Sequence, residues 1–482
     1  MKAIATTADQ LNDGGRRLDA SYHASDGVKA WRFILQWSGS STWLVKPASK
    51  QIRENRPIAY GTRRLEPLEE VCVSEGIFIP GRFKRFYVDD PEYGEPWLSP
   101  SDMLQAELSG LRLVSRKLTP SIETLRIHRS WILLSRSGTI GNVAYARQDM
   151  DGLIGSDDII RIVADPAKIL PGYLYAFLSS PLGKALIEQR TYGSVVPHIE
   201  AHHVKDLPIP RLESATEQRI HELIEQAAAL RVEASRHKQE ALDLASSSLG
   251  VDLSDFKPPT SLLVLSSRLN WRLEAAYHAT QRAAENILCT LSTRLVLIGD
   301  LLLDMFYLGK LHRVFVDDPQ YGVPLLSIAD AQKSKLTSDK FVSQTQSRNV
   351  KQAMLQEGWV LVSRTGTPGL VTYVRREMLG MAGTDHLVRL VPNEDRVLSG
   401  YLYTILSSAV GQGLLLGSVH GSVQPQLPPE YIACTKIPLL SMEDQRPIHD
   451  LITRYAEALT CASEFEDEAR ALLYQATGYS NK

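Results

Sequence analysis

The feature that most limits what this chain can fold into is an internal repeat held at a constant offset of 228 residues. VDDPEYG at 88–94 recurs as VDDPQYG at 316–322. WILLSRSGTIGNVAYA from Trp131 recurs as WVLVSRTGTPGLVTYV from Trp359, with 9 of 16 positions identical where unrelated sequence gives about one. GYLYAFLSS at 172–180 matches GYLYTILSS at 400–408, GSVVPHI at 193–199 matches GSVQPQL at 421–427, and Ile209-Pro210 matches Ile437-Pro438. An offset kept without a gap over about 120 residues marks a tandem duplication, so whatever one half folds into, the other must fold into as well.

Each repeat has a lead-in, RLDASYHA from Arg17 and RLEAAYHA from Arg272, but these are 255 residues apart. The first repeat therefore carries 27 extra residues, which the Ser-rich and basic stretch from Trp37 to Arg64 accommodates as an insertion. Within a repeat, short runs such as WILLS, GNVAYA and IIRIV are separated by Gly, Asp and Pro clusters and read as strands joined by turns. Leu174, Phe177, Leu178, Leu182 and Leu186 follow helical spacing and predict a helix or helical hairpin. Each body is expected to be an α+β domain.

The segment after each body lacks Gly and is rich in Ala, Glu, Arg and Gln. Ile220, Leu223, Ala227, Leu230 and Ala234 in the first, and Ile448, Leu451, Tyr455, Leu459 and Ala462 in the second, form single apolar stripes. A helix of about 30 residues spans roughly 45 Å, more than a small domain needs for itself. The expected fold is thus two β-rich domains joined by long helices packed as an antiparallel coiled coil with pseudo-two-fold symmetry. The expected division is 1–210 for the first domain, 211–250 for the first helix, 251–440 for the second domain and 441–482 for the second helix.

The chain of 482 residues is 44% hydrophobic and 22% charged, which fits a folded protein of two to four domains rather than a disordered one. Charged residues in the first twenty positions argue against a secretory signal, and Arg294, Asp300 and Asp304 interrupt the most apolar stretch, so the expected location is cytoplasmic with no membrane partner. Cys72, Cys289, Cys434 and Cys461 are scattered and read as buried structural thiols. The net charge of -2 does not supply the overall basic footprint common in nucleic-acid binders, although local charge can still do so.

With its paired lead-ins, the SRSGT and SRTGT strand-turn motifs, the two GSVxP motifs and the helix openings EQRIHELI and DQRPIHDLI, the chain from Arg17 to Gln475 resembles the specificity subunits of type I restriction-modification systems. The resemblance implies two target-recognition domains that each read one half of a split, asymmetric double-stranded DNA target. It implies no catalysis and no cofactor in the chain itself. Two DNA methyltransferase subunits would dock on the helices, bringing S-adenosylmethionine, and a motor-nuclease restriction subunit could join them.

Candidate DNA contacts follow the repeat. Arg82, Lys84 and Arg85 correspond to Lys310, His312 and Arg313, cations beside apolar strand positions that suit phosphates or guanine edges, or else protect an edge strand. Arg136, Ser137 and Thr139 correspond to Arg364, Thr365 and Thr367, where a Gly-containing turn would expose the arginine unless an aspartate pairs with it. Ser194, His198 and His202 are the candidates in and beside the first GSVxP segment, and Ser422, Gln424 and Gln426 those in the second. Three nearby histidines, with His203, could suggest zinc, but Gln426, Glu430 and Tyr431 at the matching positions rule out a duplicated metal site. Differences such as His198 against Gln426 and Val196 against Gln424 predict unequal half-sites. Partner binding is assigned to Ile220, Leu223, Leu230, Ile448, Leu451, Tyr455 and Leu459. The acids Asp89-Asp90 and Asp317-Asp318 read as turns rather than a nuclease centre. No phosphate-binding loop, dinucleotide fingerprint or amino-methyltransferase motif is present. The competing reading is a stand-alone DNA-binding or scaffold protein that keeps the fold without an enzyme partner.

Overall fold

In the computed structural model, the described residues are 26–38, 64–137, 140–190, 198–259, 261, 263–265, 275–309, 313–336, 338, 340–421 and 424–479. Both lead-in arginines, nearly all of the 27-residue insertion region, and the candidates Thr139, Ser194, Lys310, His312 and Ser422 lie outside them. The chain divides into two compact units, one of 1–232 with 464–482 and one of 233–463.

The first unit begins with helix α1 (Asp26–Ser38), followed by β1 (Arg64–Pro67), β2 (Cys72–Phe78), β3 (Tyr87–Val88), β4 (Gly94–Leu98), β5 (Leu113–Ser115), β6 (Ile132–Ser135), β7 (Val143–Tyr145), β8 (Ile154–Gly155) and β9 (Ile159–Ala164). Helices α2 (Pro171–Leu178) and α3 (Pro181–Glu188), strand β10 (Pro208–Arg211) and helix α4 (Ser214–Leu249) complete the repeat. One antiparallel sheet has the order β2-β9-β6-β7, a second has the order β3-β5-β4-β8 with β4 and β8 parallel, and β1 pairs with β10. Strand β6 is buried on both faces. Ile132 and Leu134 join the helix-side core with Tyr173 and Phe177, while Leu133 packs with Leu98, Ala144 and Ile159 on the other side, as the period of two in a strand requires.

The second unit repeats this with helix α5 (Ala275–Cys289), strands β11 (Leu295–Leu297), β12 (Leu302–Tyr307), β13 (Phe315–Val316), β14 (Gly322–Leu326), β15 (Phe341–Ser343), β16 (Val360–Ser363), β17 (Val371–Tyr373), β18 (Ala382–Gly383) and β19 (Leu387–Pro392), helices α6 (Ser399–Ser407) and α7 (Ala409–Leu416), strand β20 (Lys436–Pro438) and helix α8 (Met442–Thr477). Its sheets run β12-β19-β16-β17, β13-β15-β14-β18 and β11-β20. The register is duplicated too: Leu133 sits opposite Arg161, and Leu361 opposite Arg389. The expected α+β duplication is therefore present in topology as well as in sequence.

The helical segment is a hairpin in both copies, broken after Ser179 and Ser407 by capping serines, Ser180 and Ser408, that accept hydrogen bonds from Gly183 and Gly411. The hairpin docks on the long helix through a duplicated contact, in which the Gly172 and Gly400 N–H groups donate to Nδ1 of His221 and His449, both at 3.1 Å. A Cβ at Gly172 would stand 2.6 Å from His221 Nδ1, and one at Gly400 2.7 Å from the His449 Cα, so the GYLY motif begins with glycine because the helices approach there. Tyr173 and Tyr401 then donate to the carbonyls of Pro210 and Pro438, tying the hairpin to the Ile-Pro strands.

Both long helices have 36 residues. The unit boundaries fall inside them, so the first unit holds the start of α4 and the end of α8. There Arg231 pairs with Glu466 at 2.6 Å, both nearly buried, Arg219 pairs with Glu468 at 2.8 Å, and Tyr175 Oη donates to Glu466 at 3.3 Å. In the second unit Tyr403, the counterpart of Tyr175, stacks on Tyr455 of α8 with ring centroids 6.0 Å apart and has Lys238 of α4 over its ring.

This arrangement corrects one expectation. Ile220, Leu223, Ile448, Tyr455 and Leu459 are buried within the chain's own units, with Leu230 and Leu451 half-buried, so the apolar stripes assigned to a partner already serve the core. Of the cysteines, Cys72 is buried, with its thiol pushed up to about 12 by that burial, but Cys289 and Cys434 are exposed rather than structural. The VDDP acids form the expected turns, Asp90 Oδ1 accepting from the Glu92 N–H and Asp318 Oδ1 from the Gln320 N–H, both at 2.9 Å.

Candidate nucleic-acid interface

At the end of β6, three chain stretches meet. The Arg136 N–H donates to the Asp158 carbonyl at 3.0 Å, the Ile199 N–H donates to the Arg136 carbonyl at 3.2 Å, and Ser137 bridges to His198. In the second copy the Arg364 N–H donates to the His386 carbonyl at 2.8 Å, the Leu427 N–H to the Arg364 carbonyl at 2.9 Å, and Thr365 bridges to Gln426. Arg136-Ser137 with His198-Ile199, and Arg364-Thr365 with Gln426-Leu427, about 60 residues apart in sequence, thus form one platform in each body. Gly366 takes a φ of 81°, the turn geometry expected there, and Thr367 beyond it is exposed.

The basic segments reach the same place. Arg85 pairs with Asp157 and lies 3.5 Å from Asp158, and Arg313 pairs with Asp385, the counterpart of Asp157. Burial opposes the charge on Arg85, but Asp157 outweighs it and raises the guanidinium pKa. Among their described residues, these segments are mostly not strands as expected. Only Tyr87–Val88 and Phe315–Val316 pair, and Arg82 and Lys84 lie exposed in irregular chain, with Lys84 over the Phe86 ring.

Arg136 also departs from expectation. Its turn does not expose it: the side chain is 8% accessible, pairs with Glu200, and has Asp158 at 3.7 Å. Arg364 is held differently, with Nη2 donating to Gln426 Oε1 at 3.2 Å and the guanidinium 4.7 Å from the Tyr307 ring centroid. Thr365 Oγ1 lies 2.7 Å from His386 Nδ1. In the second unit a cleft of about 960 Å³ opens over this platform, lined by Arg313, Arg364, Thr365, His386, Gln424 and Gln426 among others. His202 is exposed on a one-turn helix (Ala201–Val204), its ring centroid 4.0 Å from that of His203. Among the described residues, no group of three or more His, Cys, Asp or Glu is arranged to hold a metal.

Sequence reasoning missed the residues that organise the platform. Arg161 and Arg389 are fully buried, and each returns along its own chain to carbonyls: Arg161 to Ser156 and Gly155 at 2.8 Å and Ile159 at 2.7 Å, Arg389 to Gly383 and Leu387 at 2.8 Å. Burial lowers both guanidinium pKa values to about 10, leaving them charged at neutral pH. They fix the loops that carry Asp157, Asp158, Asp385 and His386. The signal was present, since an arginine recurs at the same place inside two otherwise apolar strands, IIRIV and LVRLV.

Residues 68–243 match a family model described as the type I restriction modification DNA specificity domain. That span covers the first body and all but the last turns of α4. No curated protein matches the chain. Among solved structures, similar chains include the S subunit of a type I restriction-modification system from M. genitalium, at 13% identity and a TM-score of 0.35, covering 90% of this chain and 96% of that one. Another is the HsdS subunit from Thermoanaerobacter tengcongensis, at 17% identity and a TM-score of 0.28, covering 86% of this chain and 96% of that one. Among the described residues no helix is long and apolar enough to cross a membrane.

Proposed function

We propose that this chain, whose residues 68–243 belong to the type I restriction modification DNA specificity domain family, is a sequence-specific DNA-recognition subunit that directs DNA methyltransferase subunits to a bipartite, asymmetric target. The observation that carries this is the convergence, in a body matching that family, of Arg85, Arg136-Ser137 and His198-Ile199 on one platform. The same convergence occurs in the second body with different polar side chains. Arg, Gln, His and Thr are side chains able to donate to or accept from base edges and phosphates.

The two platforms read two half-sites. Catalysis belongs to the partners, with S-adenosylmethionine bound by the methyltransferase. Because the apolar stripes are buried, the methyltransferases dock on the exposed polar faces of α4 and α8, and a restriction subunit can join that assembly.

Co-expression with a type I methyltransferase tests this. The expected result is a stable complex that selects a split motif from random duplex DNA. A chain that purifies alone, ignores the methyltransferase and binds DNA tightly by itself would favour the stand-alone reading instead.

A further inference from the structure

The two platforms share a backbone but differ in what holds their central arginine. Around Arg136 stand Glu200 and Asp158, and with Arg85 and Asp157 the first platform sets two arginines against three carboxylates. At the matching positions of the second platform, Glu200 is replaced by Pro428 and Asp158 by His386, so of those three carboxylates only the counterpart of Asp157 remains, Asp385, which pairs with Arg313. A third replacement acts in the same direction: Ile79 becomes Tyr307, whose ring lies against the Arg364 guanidinium. Gln426, in place of His198, orients Nη2 through its Oε1. Nη1 of Arg364 makes no hydrogen bond among the described residues, whereas its Nε is buried, as is that of Arg136. Four replacements thus convert a carboxylate-locked arginine into one held over an aromatic ring, with Nη1 unengaged and a cleft beside it.

Building on the DNA-recognition reading above, we propose that Arg364 is a specificity-determining residue that reads a guanine in the half-site of the second repeat, while its counterpart Arg136 reads no base and holds its own platform together. A planar guanidinium held over a ring and oriented by an amide can present paired donors from Nη1 and Nη2, the complement of guanine O6 and N7. A phosphate would be served equally well by a mobile lysine and would need neither the ring nor the amide. Arg136, by contrast, would have to abandon Glu200 and Asp158 while buried, which leaves two carboxylates without their cation.

The test is selection from random duplex DNA by the full chain in complex with its methyltransferase, with a salt titration, for wild type, Arg364→Ala, Arg364→Lys and Arg136→Lys. The expected result is that both Arg364 variants lose preference for one guanine in one half of the target by about ten- to a hundred-fold, with the other half unchanged. Arg364→Lys keeps the charge, so it melts like wild type and separates lost reading from lost folding. Arg136→Lys is expected to lower the melting temperature, to leave the second repeat's half-site unchanged, and to single out no one base of its own half-site. Weakening that is uniform across sequences, with a shallower salt dependence, would make Arg364 a phosphate contact and overturn the assignment. An unchanged base profile in the Arg364 variants, or a loss confined to a single base in Arg136→Lys, would overturn it too. A wild-type complex that selects no sequence would remove the DNA-recognition reading itself, and this assignment with it.

Discussion

At the scale of single residues, the arginines divide by what surrounds them, and sequence alone sees only half of that. Arg85, Arg136, Arg313 and Arg364 stand out in the repeat because they recur beside turns and apolar runs. What the spacing does not show is that Asp157 comes to Arg85 and Glu200 to Arg136 from 72 and 64 residues away. Those pairings decide which guanidinium is spent inside the body. Arg161 went unnoticed because an arginine in a strand usually marks a solvent-facing position, whereas here the strand's own loop supplies the acceptors. Arg161→Met should therefore cost about 2–4 kcal/mol in chemical denaturation, because buried carbonyls lose a charged donor. A cost below about 0.5 kcal/mol would show that the loop holds itself. Gly155→Ala should destabilise as well, since its Cβ would stand 2.6 Å from Arg161 Nη2.

At the scale of elements, the long helices were legible because an uninterrupted polar-rich run with one apolar stripe has few alternatives. Their surroundings were not, since a stripe records that a face is covered without recording by what. Burial of Ile220 and Leu223 in the first core means that Leu223→Ala should lower stability by about 2–5 kcal/mol rather than simply weaken partner docking. Intact stability with lost methyltransferase binding would restore the partner assignment. The hairpin contact predicts a pH effect. Burial lowers the His221 pKa below its ordinary 6.5, and Nδ1 must be unprotonated to accept from Gly172. Its folded-state value is thus depressed relative to the unfolded chain. The associated stability is complete above about pH 6.5 and is lost as pH falls toward the folded-state value. Thermal melts from pH 8 to 5 should fall more steeply for wild type than for His221→Leu. Parallel curves would contradict the linkage. The basic segments were harder to read, because GRFKRFYV has strand-like composition but only its last two residues find a partner strand.

At the scale of the whole molecule, the constant offset carried most of the fold: matching strand orders, matching hairpins and matching registers all follow from it. Duplication also fixes what function must explain. Positions kept in both copies, such as Arg161 and Arg389, serve the shared scaffold, and positions that differ, such as Asp158 and His386, are where two half-sites can diverge. The central claim is that one chain carries two unequal readers. Sequencing of methylated bases in DNA from cells that express this chain with its methyltransferase tests it most directly. The expected result is a split motif with two different halves that disappears when the chain is deleted. Methylation unchanged by the deletion, or a motif with identical halves, would contradict it.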